Sequence, residues 1–241
     1  MLSVAGLTVH RGGTPTHRGG TPTLQDVTLS LAPGRTLAVV GESGAGKSTL
    51  IAAILGLLKP VRGTVTWAGA AVRLCRPALV MQEPRAAFNP GLSLRQSVLE
   101  PIVARKAAVP EARIARLSAA LELSPALLDR RPGAVSIGQA QRAGILRALI
   151  AAPPLVLFDE PLSALDAVTQ KHTAKLVAEM QADEGFAALI VTHDLGYAAA
   201  FADDIAVLRA GRVDEVTPAA HFVTAPNTPY GQAHRAAALA H

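Results

Sequence analysis

The nine residues from Gly41 to Thr49 constrain this chain more than any other segment. The first eight fit the pattern G-x-x-x-x-G-K-[ST], and all nine read Gly41, Glu42, Ser43, Gly44, Ala45, Gly46, Lys47, Ser48 and Thr49. The apolar run 36–40 before them predicts a buried strand, and residues 50–55 after them predict a helix. In that context the curled main chain and the helix N-terminus present N–H groups to a polyphosphate. Lys47 is expected at the outer phosphates, and the Ser48 hydroxyl is expected to bind magnesium.

Composition narrows the class of protein. The chain has 241 residues and is 50% hydrophobic, which suits one α/β domain or a core with a subdomain. Its net charge of +5 suits a phosphate ligand but is too diffuse to indicate a nucleic-acid partner. Cys75 is the only cysteine, which excludes a disulfide framework and a cysteine-based metal site.

The chain shows neither a signal peptide nor an apolar run that approaches the roughly 20 residues of a bilayer span. We therefore expect a soluble protein of a reducing compartment, which works at a membrane only through a partner.

An exact tandem repeat stands near the start of the chain. The heptad His-Arg-Gly-Gly-Thr-Pro-Thr occupies residues 10–16 and again 17–23. Two copies are too few for a solenoid, and Gly, Pro and Thr favour a loop. Because residues 2–9 and 24–31 both alternate between apolar and polar, we expect an antiparallel hairpin whose loop the second copy lengthens.

Apolar strands alternate with helical segments along the rest of the chain. Strands are predicted at 64–67, 78–81, 155–160, 187–192 and 205–208, and helices at about 167–182 and through most of 91–150. This alternation predicts a largely parallel sheet covered on both faces, with ligands at the carboxyl ends of its strands. Polar groups at 41–49, 159–160 and 193 follow predicted strands, so we expect them to lie together at the carboxyl ends of those strands. The tail from residue 217 is predicted as a weak helix or a docked extension.

Two carboxylates end the predicted strand at 155–160. Asp159 can hold magnesium through water, and Glu160 can orient and deprotonate an attacking water. The alternative is a solvated turn. A lone strand-end residue such as His193 is equally compatible with a structural role.

A second anion site is predicted at residues 135–142, which read Val-Ser-Ile-Gly-Gln-Ala-Gln-Arg. Ser136 is a candidate N-cap, and a helix predicted over 143–151 would offer its N–H groups to a phosphate. One domain rarely needs two phosphate sites for one nucleotide. Two chains that face each other would use both.

The chain resembles the ATP-binding cassette (ABC) ATPases over nearly its whole length. The resemblance rests on six segments in order: Gly41 to Thr49, Gln82, Ser136 to Gln139, Leu155 to Glu160, Ser163 to Asp166, and His193. It implies an α/β fold with a P-loop NTPase core built on a mainly parallel sheet, a small N-terminal antiparallel β subdomain and an inserted helical subdomain. The corresponding limits are 1–82 with 152–216 for the core, 83–151 for the helical subdomain and 217–241 for the tail.

The same resemblance implies ATP and Mg²⁺ as ligands and assigns roles within a dimer. Gln82 would bind magnesium and sense the transport partner, and His193 would contact the γ-phosphate. Asp166 would line the dimer interface. Ser136, Gly138 and Gln139 would act in trans on the partner's nucleotide.

A narrower resemblance is to the oligopeptide, dipeptide and nickel uptake subfamily. It rests on residues 81–90, which end in Asn89-Pro90, and on Asn227 to Tyr230. It implies an importer ATPase with a second ABC subunit, two transmembrane permease subunits and, indirectly, an extracytoplasmic substrate-binding protein. The chain would then be peripheral on the cytoplasmic face of the inner membrane. The alternatives are a non-transport ABC ATPase and a nucleotide-gated subunit with little hydrolysis of its own.

Two positions depart from the family pattern. Ile137 replaces a glycine of the signature, and because a β-branched residue disfavours positive φ, we expect weaker phosphate binding in trans and a heterodimer with unequal sites. The aromatic residue that usually stacks on adenine is missing, and either His10 or His17 is the candidate replacement.

Overall fold

The computed structural model describes residues 1–10 and 23–239. Its strands are β1 (Leu2–Val9), β2 (Leu24–Leu31), β3 (Thr36–Val40), β4 (Arg62–Trp67), β5 (Ala70–Ala71), β6 (Ala78–Val80), β7 (Leu155–Asp159), β8 (Ala187–Val191), β9 (Asp204–Arg209) and β10 (Arg212–Pro218). Its α-helices are α1 (Lys47–Ile54), α2 (Leu94–Ala104), α3 (Glu111–Ala120), α4 (Pro125–Leu128), α5 (Ile137–Leu149), α6 (Ala167–Glu184), α7 (Leu195–Phe201), α8 (Ala219–Thr224) and α9 (Pro229–Leu239). The chain divides into two compact units, one of Met1–Pro77 with Ala187–His241 and one of Ala78–Phe186.

The first unit contains an antiparallel sheet with the strand order β2-β1-β4-β5. β1 pairs with β2 so that Leu2 lies opposite Leu31 and Val9 lies opposite Leu24. Burial alternates along β2, as expected for a strand with one face in the core. The predicted antiparallel pairing at the start of the chain is confirmed.

Parallel strands form the centre of the first unit. β3 lies between β8 and β9 and is parallel to both, with Val39 opposite Val191 on one side and opposite Ala206 on the other. Every residue of β3 and β8 is buried, which explains why both strands are continuous apolar runs. β10 pairs antiparallel with β9 and forms a hairpin with it.

The tail of the chain docks on this unit. Ala219 and Phe222 of α8 are buried in a cluster with Val40 and Val207, and Tyr230 of α9 packs against that cluster. The expectation of a docked extension is confirmed, and most of it is helical.

The second unit holds one parallel strand pair and most of the helices. β6 is parallel to β7, with Val80 opposite Phe158. α5 is largely buried and begins at Ile137, which is earlier than the predicted start at Ala143. Across residues 1–10 and 23–239, no helix has the length and apolar character needed to cross a membrane.

Arg113 joins three helices of the second unit. From α3, its Nη2 donates to the carbonyl oxygen of Leu149 at 2.8 Å and its Nε donates to that of Ile150 at 3.2 Å. Its Nη2 also donates to the carboxylate of Glu184, near the end of α6. A cation at a helix C-terminus satisfies carbonyl groups that have no partner within the helix. Arg116 binds the same carboxylate, but its side chain is 52% exposed against 22% for Arg113.

Replacing Arg113 with alanine is expected to lower the free energy of unfolding by about 2 kcal/mol, because charge-assisted hydrogen bonds are lost and Glu184 loses a partner. Urea denaturation followed by circular dichroism measures the change. Arg116→Ala is the matched control and is expected to cost much less, since exposed ion pairs contribute little. Equal losses from the two variants would contradict this account of the helix junction.

Candidate nucleotide-binding site

The predicted phosphate loop connects β3 to α1 as the motif requires. α1 begins at Lys47, and Gly46 caps it in the left-handed conformation. Gly41 has a φ of 151°, and a Cβ at that position would lie 2.1 Å from the carbonyl oxygen of Leu208. Only glycine fits that contact, so the loop curls where a side chain would prevent it.

Lys47 is held within the loop. Its side chain is buried, and its Nζ donates to the carbonyl oxygens of Gly41 at 2.7 Å and Glu42 at 3.0 Å. Residues 42–44 and Ser48 are exposed. An ammonium has three N–H donors, so Lys47 can bind a phosphate oxygen without giving up both of these carbonyl contacts.

His193 lies at the same edge of the sheet as the loop. Val39 of β3 pairs with Val191 of β8, so Gly41 and His193 each come two residues after a paired position. His193 is exposed. The next residue, Asp194, caps α7 by accepting a hydrogen bond from the N–H of Tyr197 at 2.9 Å. The structure thus places His193 in the unit that carries the phosphate loop.

The two predicted carboxylates lie in the second unit. Asp159 is the last residue of β7, and Glu160 follows with a φ of 45°, in the left-handed region that non-glycine residues rarely adopt. The Nε2 of Gln82 donates to the Oε2 of Glu160 at 3.3 Å. The sequence reading missed this contact, although the parallel alignment of residues 78–81 with 155–160 was a signal that could have found it.

The signature segment forms the start of α5. The Oγ of Ser136 accepts from the N–H of Gln139 at 3.1 Å, and the Oε1 of Gln139 accepts from the N–H of Ser136 at 2.9 Å. This reciprocal pair is a capping box, which the Ser-x-x-Gln spacing indicates and our sequence reading overlooked. The first N–H groups of a helix have no acceptor within it, so those of Ile137 and Gly138 suit an anion.

The structure changes the account of Ile137. As the first residue of α5 it has no positive φ, so the predicted conflict between a β-branched residue and a left-handed main chain is wrong. The side chain is 42% exposed. Ile137 therefore differs from the glycine of the family signature only in placing an exposed apolar side chain beside the helix N-terminus.

Asp166 caps α6 close to the signature segment. Its Oδ1 accepts from the N–H groups of Val168 at 3.1 Å and Thr169 at 3.0 Å, and the Thr169 hydroxyl donates to its Oδ2 at 2.7 Å. The hydrogen bond from the Thr169 main chain, followed by that from its hydroxyl, lowers the pKa of Asp166. A Cβ on Gly138 would lie 3.0 Å from Cγ2 of Thr169, so the starts of α5 and α6 are neighbours.

The predicted magnesium donors are the Ser48 hydroxyl, the Gln82 amide and the Asp159 carboxylate. They are oxygen donors, and one carboxylate together with substrate phosphates is a usual Mg²⁺ environment. Within the described part of the chain, no group of three His, Cys, Asp or Glu residues forms a metal site. The convergence of these three donors stays a prediction, since Ser48 belongs to one compact unit and the other two belong to the second.

Comparison with known proteins decides the family. The sequence model of the ABC transporter family matches residues 24–163. The chain belongs to the ABC transporter family. Its resemblance to the ABC ATPases, the expected α/β fold and the ATPase activity are thereby confirmed.

Curated relatives point to the same subfamily as the sequence. The nickel import ATP-binding protein NikE of Escherichia coli (strain K12) is 34% identical over 89% of this ABC chain and 86% of its own length. The oligopeptide transport ATP-binding protein OppF of the same strain is 35% identical over 86% of this chain and 66% of its own length.

Solved structures share the fold. The ATP-binding cassette MJ0796, a dimer bound to ADP and Pi after hydrolysis, has a TM-score of 0.78 and 26% identity over 91% of this chain and 99% of its own. The cbiO1 protein of Clostridium perfringens, part of an ABC transporter complex, has a TM-score of 0.78 and 26% identity over 90% of this chain and 88% of its own.

The adenine-stacking candidates stay predictions. His10 follows β1 and is exposed. His17 and most of the tandem repeat lie outside the described residues.

Replacing Glu160 with glutamine in this ABC ATPase is expected to leave ATP binding in place and to lower kcat about 100-fold or more, because an amide cannot accept the proton of an attacking water. Phosphate release and equilibrium binding of ATP measure the two effects separately. Glu179→Gln, on the exposed surface of α6, is the matched control and should hydrolyse ATP at the original rate. Undiminished turnover by Glu160→Gln would remove Glu160 from the chemistry.

Proposed function

We propose that this chain is the ATP-hydrolysing subunit of an importer that takes up peptides or nickel through two separate permease subunits. The observation that carries the proposal is that one chain has two helix N-termini suited to phosphate, at α1 after the loop and at α5 in the signature segment. A pair of such chains, identical or related, uses both helix N-termini of each chain. The signature segment of one chain then binds the nucleotide that lies on the phosphate loop of the other.

The chain's own residues then divide the work on ATP. Lys47 binds the outer phosphates, and the loop N–H groups bind the remaining oxygens. Glu160 accepts a proton from the attacking water, and the hydrogen bond from Gln82 orients its carboxylate. His193 contacts the γ-phosphate.

Ser48, Gln82 and Asp159 would hold Mg²⁺, which supplies positive charge to the phosphate oxygens. Ser136, Gly138 and Gln139 act on the partner's nucleotide, and Asp166 lies in the interface between the two chains. The proximity of Gly138 to Thr169 supports a joint role for these segments.

ATP acts in this proposal as a ligand that favours the closed dimer, and hydrolysis returns the dimer to the open state. The partners are a second ABC subunit, the two permease subunits and, indirectly, an extracytoplasmic substrate-binding protein. The chain is peripheral on the cytoplasmic face of the inner membrane. The limits 83–151 for the helical subdomain belong to the same proposal.

The alternative is a nucleotide-gated subunit with little hydrolysis of its own. Ile137 favours it for a pair of identical chains, because its exposed side chain then stands at the N-terminus of both signature helices α5, where the family has glycine. A bulky side chain there keeps a phosphate group at a distance even though the main chain is unstrained.

A host strain that lacks this chain is expected to lose uptake of labelled oligopeptides or of labelled nickel ion, and the wild-type chain should restore it. Lys47→Ala should fail to restore uptake, because the outer phosphates lose their cation. Lys59→Ala, an exposed lysine after α1, is the matched control and should restore it fully. If neither cargo depends on the chain, the importer proposal fails while the ATPase assignment stands.

The two sites of the dimer are expected to be unequal. The site built on Lys47 and Glu160 uses the partner's signature, whereas the opposite site uses the segment that contains Ile137. Glu160→Gln should therefore reduce hydrolysis by the co-purified complex more than the corresponding change in the second ABC subunit. Equal losses of phosphate release would contradict this asymmetry.

A further inference from the structure

The end of β9 and the turn that follows it contact the phosphate loop at two places. The carbonyl oxygen of Leu208 lies where a side chain at Gly41 would be, 2.1 Å from the position of its Cβ. Further along the loop, the N–H of Gly211 donates to the carbonyl oxygen of Ala45 at 3.0 Å. These contacts join main-chain atoms, so they depend on where the turn lies and not on its side chains.

Both main-chain polar groups of Ala45 are hydrogen-bonded. Its N–H donates to the carbonyl oxygen of Glu42 at 3.1 Å within the loop, and its carbonyl oxygen accepts from Gly211. The described residues contain no cis peptide bond, so the C=O of Ala45 and the N–H of Gly46 point to opposite sides of the peptide that they share. The hydrogen bond from Gly211 therefore determines the direction of the Gly46 N–H, which points away from the turn.

β2 holds Gly211 through hydrogen bonds of its own. The carbonyl oxygen of Gly211 accepts from the N–H of Gln25 at 2.7 Å, and Nη2 of the next residue, Arg212, donates to Oε1 of Gln25 at 2.7 Å. Gly211 has a φ of 77°, and a Cβ there would lie 2.4 Å from the carbonyl oxygen of Thr23. A side chain does not fit between the turn and the start of β2, so only glycine provides both this conformation and this close approach.

The docked tail restrains the same turn through α9. The guanidinium carbon of Arg209, the last residue of β9, lies 4.5 Å from the centre of the Tyr230 ring. That ring also stacks with His234, with ring centres 5.9 Å apart and planes 7° from parallel. A cation over an aromatic face and a stacked ring pair are both attractive contacts. Because β2 and α9 both hold the turn, it provides a fixed support for the loop.

We propose that Gly211 is a positioning residue for ATP, whose N–H holds the peptide between Ala45 and Gly46 in the orientation that presents the Gly46 N–H to a phosphate oxygen. A main-chain N–H that already points at its ligand binds it without the cost of being ordered on binding. Gly211 acts through Ala45 and needs no contact with the nucleotide. The proposal rests on ATP binding at the phosphate loop, and it stands or falls separately from the importer proposal.

Gly211→Ala moves the turn, because the added methyl group meets the carbonyl oxygen of Thr23. In the full chain it is expected to weaken equilibrium ATP binding about tenfold or more, the range for one hydrogen bond to a charged group. The KM for ATP should rise by a similar factor and change more than kcat, because the phosphates are bound both before and during the chemical step.

Gly63→Ala, in β4, is the matched control for strain. Gly63 has a φ of 83°, and a Cβ there would lie 2.4 Å from the carbonyl oxygen of Gly6 in β1, so the two substitutions meet the same kind of clash. Both variants are expected to lower the Tm, whereas Gly63→Ala should bind ATP as the wild type does. Unchanged ATP affinity in Gly211→Ala, or equal losses in the two variants, would overturn the proposal.

Inorganic tripolyphosphate separates support of the loop from support of β2. It carries the phosphate groups of ATP without the nucleoside, and its affinity is measured by displacement of a fluorescent ATP analogue. Gly211→Ala should weaken its binding by the same factor as that of ATP, and a loss confined to ATP would contradict the proposal. Lys47→Ala should abolish tripolyphosphate binding. Binding that survives Lys47→Ala would remove the phosphate loop as the site, and the role of Gly211 with it.

Amide hydrogen exchange in the wild-type chain tests the same contact without a substitution. A phosphate oxygen at the Gly46 N–H polarises the shared peptide and strengthens the hydrogen bond that the Ala45 carbonyl accepts. Saturating tripolyphosphate is therefore expected to slow exchange of the Gly211 amide about fivefold or more, as measured by NMR. The amide of Gly69, in the turn between β4 and β5, is the reference and should change less. Exchange at Gly211 that tripolyphosphate leaves unchanged would refute the positioning role.

Discussion

The parallel pairing of β3 with β8 is the interaction on which the candidate site depends. Both strands are buried throughout, so their alignment side by side removes apolar surface from water along its whole length. That alignment brings Gly41 and His193 to one edge. The second unit repeats the rule with β6 and β7, which bring Gln82 and Glu160 within hydrogen-bonding distance. The polar residues of the candidate site therefore lie just after the ends of buried strands.

The strands and the phosphate loop could be predicted because buried strands are visible in the sequence as apolar or alternating runs. The predicted limits of β1, β2 and β3 agree with the structure, since each run is bordered by turn-forming residues. α5 was harder. Its first turn contains Ser, Gly and Gln, which resemble a loop by composition, and the helix starts there because Ser136 and Gln139 cap it. The same capping places Ile137 in a helical conformation, which composition alone did not indicate.

Side-chain contacts between distant segments were beyond the sequence. The contact between Gln82 and Glu160 spans 78 positions, and that between Arg209 and Tyr230 joins a strand to a helix of the tail. Periodicity determines which face of an element is buried but not which polar tips meet. Arg113 illustrates the same limit, because its three acceptors lie on two other helices.

At Glu160, the residue that would be best for stability differs from the residue that the expected chemistry needs, because the main chain is in the left-handed conformation. A non-glycine residue there costs about 1 kcal/mol or more, which glycine would largely avoid. Glycine, however, has no carboxylate to accept a proton. A change of Glu160 to glycine would therefore relieve the strain in the main chain and, in the same step, remove the expected general base. A screen of this protein for thermal resistance alone would tend to select against its activity.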